Sequence, residues 1–326
     1  GAGGDFITAP EISQMFGEMV AAWMTDIWMQ SGKPECVRLV ELGPGRGTLA
    51  ADIMRTIAAW PDLKFAVSLH LIEASETLRQ KQAHVLKGHP VSWHAGLEDV
   101  PEGFVLAVAN EFFDALPIHQ FEKKGGLWHE RRVGIDPDTG VLRFVLEAPT
   151  VDLASVMPES FMRAEEGSIF EISPASLAVT RVLARRIASS GGGALIVDYG
   201  HPAFGFGDTL QAVSNHQYAD PLHRPGLQDI TAHVDFSALA TVASESTTVA
   251  GPVTQGAFLK NLGIEVRAEK LRAAATSAQQ NKIMADLSRL TSNEEMGRLF
   301  KVMALLPKDA KLNPAGFADE VFDNRP

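Results

Sequence analysis

The chain has 326 residues, enough for about two average domains or for one large α/β domain with insertions. Hydrophobic residues at 45% and charged residues at 21% are ordinary globular values and exclude disorder and collagen-like repetition. Lys and Arg number 29 against 40 Asp and Glu, so the net charge is −11, unsuited to tracking a nucleic-acid backbone unaided. The single cysteine, Cys36, excludes a disulfide framework and a cysteine-cluster zinc site, and it favours a reducing compartment. Apolar stretches such as Gly193 to Val197 fall far short of the ~20 residues of a membrane span. There is no basic segment followed by an apolar one at the start. The chain begins at Gly1 without an initiator Met, so an upstream segment, with any targeting signal, is expected.

Residues 9 to 31 read as one helix. Ile12, Met15, Phe16, Met19, Val20, Trp23, Met24, Ile27 and Trp28 recur at helical spacing on a broad apolar face. Thr8 offers a capping hydroxyl, Pro10 suits the first turn and Gly32 the end. Strands at 37–42, 65–72, 91–94 and 104–109 then alternate with helices at 48–60 and 75–86, which predicts βαβ units and a mainly parallel sheet. Runs at 118–122, 127–133 and 141–146, punctuated by Gly125-Gly126 and Asp136-Pro137-Asp138, predict an antiparallel meander. A helix over 176–189 and a buried strand over 194–197 follow. Residues 200 to 230 lack periodicity and read as a lid or a disordered loop. Helices are expected over 234–243, 254–262 and about 268–290, and a strand over 299–305.

The central signal is Val40-Glu41-Leu42-Gly43-Pro44-Gly45-Arg46-Gly47-Thr48, which leaves a strand and opens a helix. Glycines at such a turn let the backbone approach a ligand, and the helix start supplies N–H donors. The dinucleotide fingerprint would put its third small residue at position 48, which is Thr48. Glu41, two residues before Gly43, would repel a pyrophosphate but suits a ligand carrying an ammonium or sulfonium. Glu73, ending the second strand, can accept two hydrogen bonds from a ribose diol.

This form of loop resembles the first motif of class I S-adenosylmethionine-dependent methyltransferases. The resemblance extends along the chain: Gly4 to Gln14, Glu41 to Gly47, Asn110 to Pro117, Asp198 to His201, Thr231 to Phe236, Gly251 to Gly256 and Met296 to Phe300 are similar to the MidA family. That family includes bacterial proteins and a mitochondrial relative that assists assembly of respiratory complex I by methylating an arginine of a subunit. The resemblance implies S-adenosylmethionine as cofactor and a protein acceptor, a complex I subunit among the candidates, in the cytoplasm of a bacterium or the mitochondrial matrix of a eukaryote. It also implies that the opening segment, with Asp5 and Thr8, covers the cofactor, the alternative being that Thr8 caps the first helix.

Asn110 to Pro117 follow the fourth strand at the carboxyl edge of the sheet, where open α/β folds bind ligands. Asn110 joins the cofactor set, and Glu111 and Asp114 are candidates to hold an acceptor guanidinium by charge-assisted bonds. The bland reading has Asp114 capping the next turn and Glu111 touching the cofactor. Asp198 and Tyr199, ending the fifth strand, either face the acceptor or pack. His201, His216, His223 and His233, with Asp220 and Asp235, lack metal-ligand spacing and read as solvated loop histidines, so no metal site is expected. The absence of a phosphate-loop lysine motif and of a G-x-S-x-G elbow removes the main supports for kinase, NTPase and hydrolase readings. The expected architecture is a single class I methyltransferase-like α/β domain with core 33–116 and 174–252, a β insertion over 117–173 and a helical addition over 253–326. The competing functions are a cofactor-binding assembly factor with little turnover and a small-molecule methyltransferase.

Overall fold

The computed structural model describes residues 8–153, 157, 161, 163–214 and 217–317. In chain order its elements are α1 (Ala9–Ile12), α2 (Gln14–Gln30), β1 (Val37–Leu42), α3 (Thr48–Ile57), α4 (Pro61–Ala66), β2 (Val67–Ile72), α5 (Glu76–Val85), β3 (Val91–His94) and β4 (Phe104–Asn110). Then come β5 (His119–Lys124), β6 (Leu127–Ile135), β7 (Leu142–Glu147), β8 (Ile169–Ile172), α6 (Pro174–Ser190) and β9 (Gly192–His201). The remainder is β10 (Gln211–Ser214), β11 (Gln217–Ala219), β12 (Asp229–Thr231), β13 (Val234–Asp235), α7 (Phe236–Ala243), β14 (Thr247–Thr254), α8 (Gln255–Asn261), α9 (Ile264–Ala273), α10 (Ser277–Thr291), α11 (Met296–Leu299) and β15 (Phe300–Pro307).

The central sheet runs β14-β15-β9-β4-β1-β2-β3. Pairs from β9 through β3 are parallel, while β15 is antiparallel to both its neighbours. Alternate residues of the buried strands serve opposite faces. Leu39, Leu69, Leu106 and Leu195 pack with α2, α3 and the C-terminal helices, and Val40, Val105, Ala107 and Ile196 pack with α6 and α7. The strand order reverses between β1 and β4, so the loops leaving their carboxyl ends flank a crevice where such sheets bind ligands.

The expected mainly parallel sheet and β insertion are present, with several local differences. The first helix is two, because extended Ser13 caps α2 by accepting the Met15 amide at 3.3 Å. Pro61 opens α4, so Phe65 is helical and exposed rather than the start of β2. The meander has a fourth strand, β8, giving the order β7-β6-β5-β8 around Phe121, Trp128 and Phe170. Residues 200–230 are neither a structureless lid nor a disordered loop: β10 pairs with β11 and β12 in a small antiparallel sheet. The helix read over 268–290 is α9 and α10, divided where Thr276 and Gln279 form a capping box. β14 was hidden by Gly251-Pro252, which an edge strand tolerates at an irregularity in its pairing. The stretch read as a helical addition also supplies β15, which lies between β14 and β9 in the sheet. Among the described residues no helix is long and apolar enough to cross a membrane.

Candidate active site

Gly43, Gly45 and Gly47 all occupy the left-handed region, with φ of 63°, 52° and 84°. A Cβ on Gly43 would lie 2.8 Å from the Phe112 ring, whereas one on Gly45 meets nothing within 4 Å. The loop is therefore packed against protein at its start and bordered by open space at its middle. Glu41, only 4% exposed, receives the Ala50 amide from the first turn of α3, and its Oε2 has no partner. Burial pushes its carboxyl up to about 8.

The loop is braced by a residue that the sequence reading passed over. Gln82 on α5 is fully buried; its Nε2 donates to the Gly45 carbonyl at 2.8 Å and to Glu73 Oε2 at 3.2 Å. Its Oε1 accepts from the Trp93 indole at 2.8 Å. Nothing in the weakly apolar sequence of α5 marks that face. Glu73 sits at the end of β2 as expected, with its Oε1 also accepting the Ser75 amide at 2.8 Å.

Across the crevice, Asn110 ends β4 with its Oδ1 buried and unpartnered. Glu111 adopts φ 49°, a conformation that costs a non-glycine residue ~1–3 kcal/mol and clusters at functional sites. Its Oε1 accepts from Asn110 Nδ2 at 3.2 Å and from the Ala9 amide at 3.0 Å. Glu111, not the Thr8 hydroxyl, thus caps α1, and Thr8 makes no side-chain cap bond. Burial pushes the Glu111 carboxyl up to about 7.

Asp198 does not face the crevice. It is fully buried, Oδ2 accepting the amides of Phe112, Phe113 and Asp114 at 3.2, 3.0 and 3.2 Å and Oδ1 that of Tyr199 at 3.0 Å. Burial, with Asp114 and Glu111 nearby, pushes its carboxyl up, against the pull of those amides. Its work is to fold the turn that presents Asp114. Asp114 and Tyr199 are buried, and the Tyr199 hydroxyl lies against both Asp114 and Thr231. The Tyr199 ring packs edge-on against His233 and Phe300, with centroids 5.5 Å away in each case.

Of the other expected residues, Asp5 and His216 lie outside the described residues. His201 and His233 are half-buried rather than solvated, while His223 is exposed. Among the described residues no group of three His, Cys, Asp or Glu could hold a metal ion. What the crevice offers is an open glycine cradle between two unpartnered buried acceptors, Glu41 Oε2 and Asn110 Oδ1. Such a setting fits a ligand rich in donors or positive charge, as S-adenosylmethionine is, and disfavours a pyrophosphate.

Comparison with known proteins gives a consistent result. The family model described as "Putative S-adenosyl-L-methionine-dependent methyltransferase" matches residues 19–253. The chain is 42% identical to protein arginine methyltransferase NDUFAF7, mitochondrial, of Mus musculus, over 94% of this chain and 75% of that one. It is 39% identical to the protein of the same name from Homo sapiens, over 94% of this chain and 74% of that one. Among solved structures, a superfamily member from Burkholderia thailandensis bound to S-adenosyl-homocysteine matches with TM-score 0.81 and 30% identity, covering 97% of this chain and 82% of that one. These matches establish the class I methyltransferase-like fold and the cofactor, and the chain belongs to this family of S-adenosyl-L-methionine-dependent methyltransferases.

Proposed function

We propose that this chain, acting as one methyltransferase domain, methylates arginine side chains of a protein acceptor, a respiratory complex I subunit being the leading candidate. The observation that carries the acceptor side is a buried carboxylate, Asp114, with an unpartnered oxygen at the carboxyl edge of the sheet beside the cofactor crevice. The relatives named as arginine methyltransferases supply the acceptor class, and their mitochondrial designation supports reading this chain as a matrix protein if its source is a eukaryote. A chain of net charge −11 favours encounter with a basic segment.

On this reading Gly43, Gly45 and Gly47 cradle the cofactor, Glu41 and Asn110 accept from its amino-acid portion, and Glu73 binds the ribose. Asp5 and Thr8 complete the cofactor set. When bound, S-adenosylmethionine supplies an electrophilic methyl group for in-line displacement. The protein's part is to align the attacking nitrogen and to stabilise shifting charge. Asp114 holds the guanidinium, and Glu111, pushed up to about 7, is suited to accept the proton that the attacking nitrogen sheds. Asp198 acts through the turn it folds, and Tyr199 faces the acceptor.

The test is mass spectrometry of proteins from a strain lacking the gene: methylarginine on a specific protein should be lost and should return on complementation. Methyl groups found only on small metabolites would instead support the small-molecule reading, and cofactor binding without transfer would support the assembly-factor reading.

Two further results are expected. NADH should not bind measurably, because Glu41 stands where a pyrophosphate would approach and Thr48 replaces the third small residue; a low-micromolar affinity would sink the loop assignment. Cofactor affinity should also rise with pH on the acid side of about 8. Glu41 in the free protein is largely protonated below about 8. An adjacent ammonium favours the carboxylate, so binding expels a proton and tightens by up to ~tenfold per pH unit as that proton becomes easier to lose. Above about 8 the ligand's own α-amino group deprotonates and the gain ends. Calorimetry from pH 6 to 9 measures this, and Glu41→Gln should flatten the acid limb. An affinity independent of pH below 8 would remove Glu41 from the cofactor set.

A further inference from the structure

Gln82 is the one buried residue of α5, and it is fully buried although polar. Glutamine is a poor choice for docking a helix by apolar contact, and a buried amide needs partners for its oxygen and for both its N–H groups. All three find one. The Trp93 indole donates to Oε1 at 2.8 Å, while Nε2 donates to the Gly45 carbonyl at 2.8 Å and to Glu73 Oε2 at 3.2 Å. The amide has only one workable orientation. Turned over, it would set Nε2 against the indole N–H and Oε1 against two acceptors. The packing is equally close, since a Cβ on Gly47 would lie 3.4 Å from Gln82 Cγ.

Both N–H groups are thus directed to two members of the proposed cofactor set, the glycine cradle and Glu73. The backbone of Glu73 is fixed from other directions. Its amide donates to the His94 carbonyl at 3.1 Å, and its carbonyl accepts from Arg79 Nε at 2.8 Å. Of the side chain, Oε1 accepts the Ser75 amide and Oε2 accepts Gln82. A carboxylate has about four acceptor positions, so each oxygen keeps room for one more hydrogen bond, as the two hydroxyls of a ribose diol require. We infer that Gln82 is a positioning residue for cofactor recognition: it holds the Glu73 carboxylate in the rotamer that grips the ribose diol and ties that carboxylate to the cradle at a set separation. The inference rests on the reading of Glu73 as the ribose ligand. A carboxylate fixed in this way strengthens binding, because little side-chain freedom remains to be lost when the ligand arrives.

The experiment measures, by calorimetry, the affinities of S-adenosylhomocysteine and of its 2′-deoxy analogue for the wild type, Gln82→Glu and Gln82→Met. Gln82→Glu keeps the shape and the Trp93 bond but presents an oxygen where both donors stood. Gln82→Met keeps the volume and adds no charge. In the wild type the deoxy analogue should bind about tenfold or more weakly, the effect of losing a hydroxyl bonded to a charged group. In each variant S-adenosylhomocysteine should bind about tenfold more weakly than in the wild type, and the preference for the ribose should shrink to about threefold or less. Lost stability alone would affect both ligands alike and would not move that ratio. A preference in the folded variants equal to that of the wild type would overturn the inference and leave Glu73 as the ribose ligand. If the wild type itself binds the two ligands equally, the Glu73 reading falls and takes the inference with it. Failure of both variants to fold would assign Gln82 to structure alone and would overturn the inference as well.

Discussion

Replacing Gly45 with Val should abolish useful cofactor binding, with S-adenosylmethionine affinity falling by about a hundredfold or more, ~3 kcal/mol on the binding scale. Gly45 has φ 52°, and a Cβ there meets nothing within 4 Å, so the new side chain would project into the space that the cradle keeps open. A β-branched residue also resists the left-handed conformation at a cost of ~1–3 kcal/mol. Because Gly45 is exposed and no protein atom opposes the added carbon, the damage should stay local and the variant should fold. Gly43 makes a poorer test, since its Cβ would strike the Phe112 ring and confuse packing with binding. The measurement is calorimetric titration of the folded variant. Unchanged affinity there would show that the cradle does not hold the cofactor.

Asp114→Asn should slow methyl transfer by about ten- to a hundredfold while cofactor affinity stays nearly constant. The substitution keeps the shape of the side chain and removes a charge-assisted bond to the acceptor, worth roughly 1.5–3 kcal/mol, or one to two decades of rate. Stability provides the control. Burial raises the Asp114 carboxyl above its usual range, so in the wild type this group's contribution is fully present below its unfolded pKa and is lost as pH rises through the folded one. At neutral pH the charged, buried form is a burden, and the Asn variant should unfold at the same or a higher temperature. A rate equal to wild type would assign Asp114 to structure alone. A variant both slow and markedly less stable would point to a lost turn rather than a lost acceptor contact. Glu111→Gln should be less selective, weakening cofactor binding as well, because Glu111 joins Asn110 to the start of α1.

The amino-acid sequence by itself determined the sheet and the cradle. Apolar runs such as Val37 to Leu42 and Phe104 to Asn110 can be satisfied only as buried strands, and the glycines that follow Leu42 carry their conformational freedom with them wherever the chain is folded. The placement of Glu41, Glu73, Asn110 and Glu111 at strand ends follows from the same local patterns. What each polar group does there was left to the tertiary structure, because a hydrogen bond between distant residues leaves no periodicity behind. Thr8 precedes α1 in the right place to cap it, yet the acceptor is Glu111, 102 residues away from Ala9. Asp198 ends up inside, bonded to amides 84 to 86 residues distant, and so holds the turn that follows β4. Gln82 braces the glycine loop from a helix with little apolar character, and β10, β11 and β12 gain their order only by pairing with one another. Local propensity and hydrophobic pattern are properties of neighbours in sequence. Burial and the partner of a polar atom are properties of neighbours in space, and in this protein the chemistry rests on the second kind.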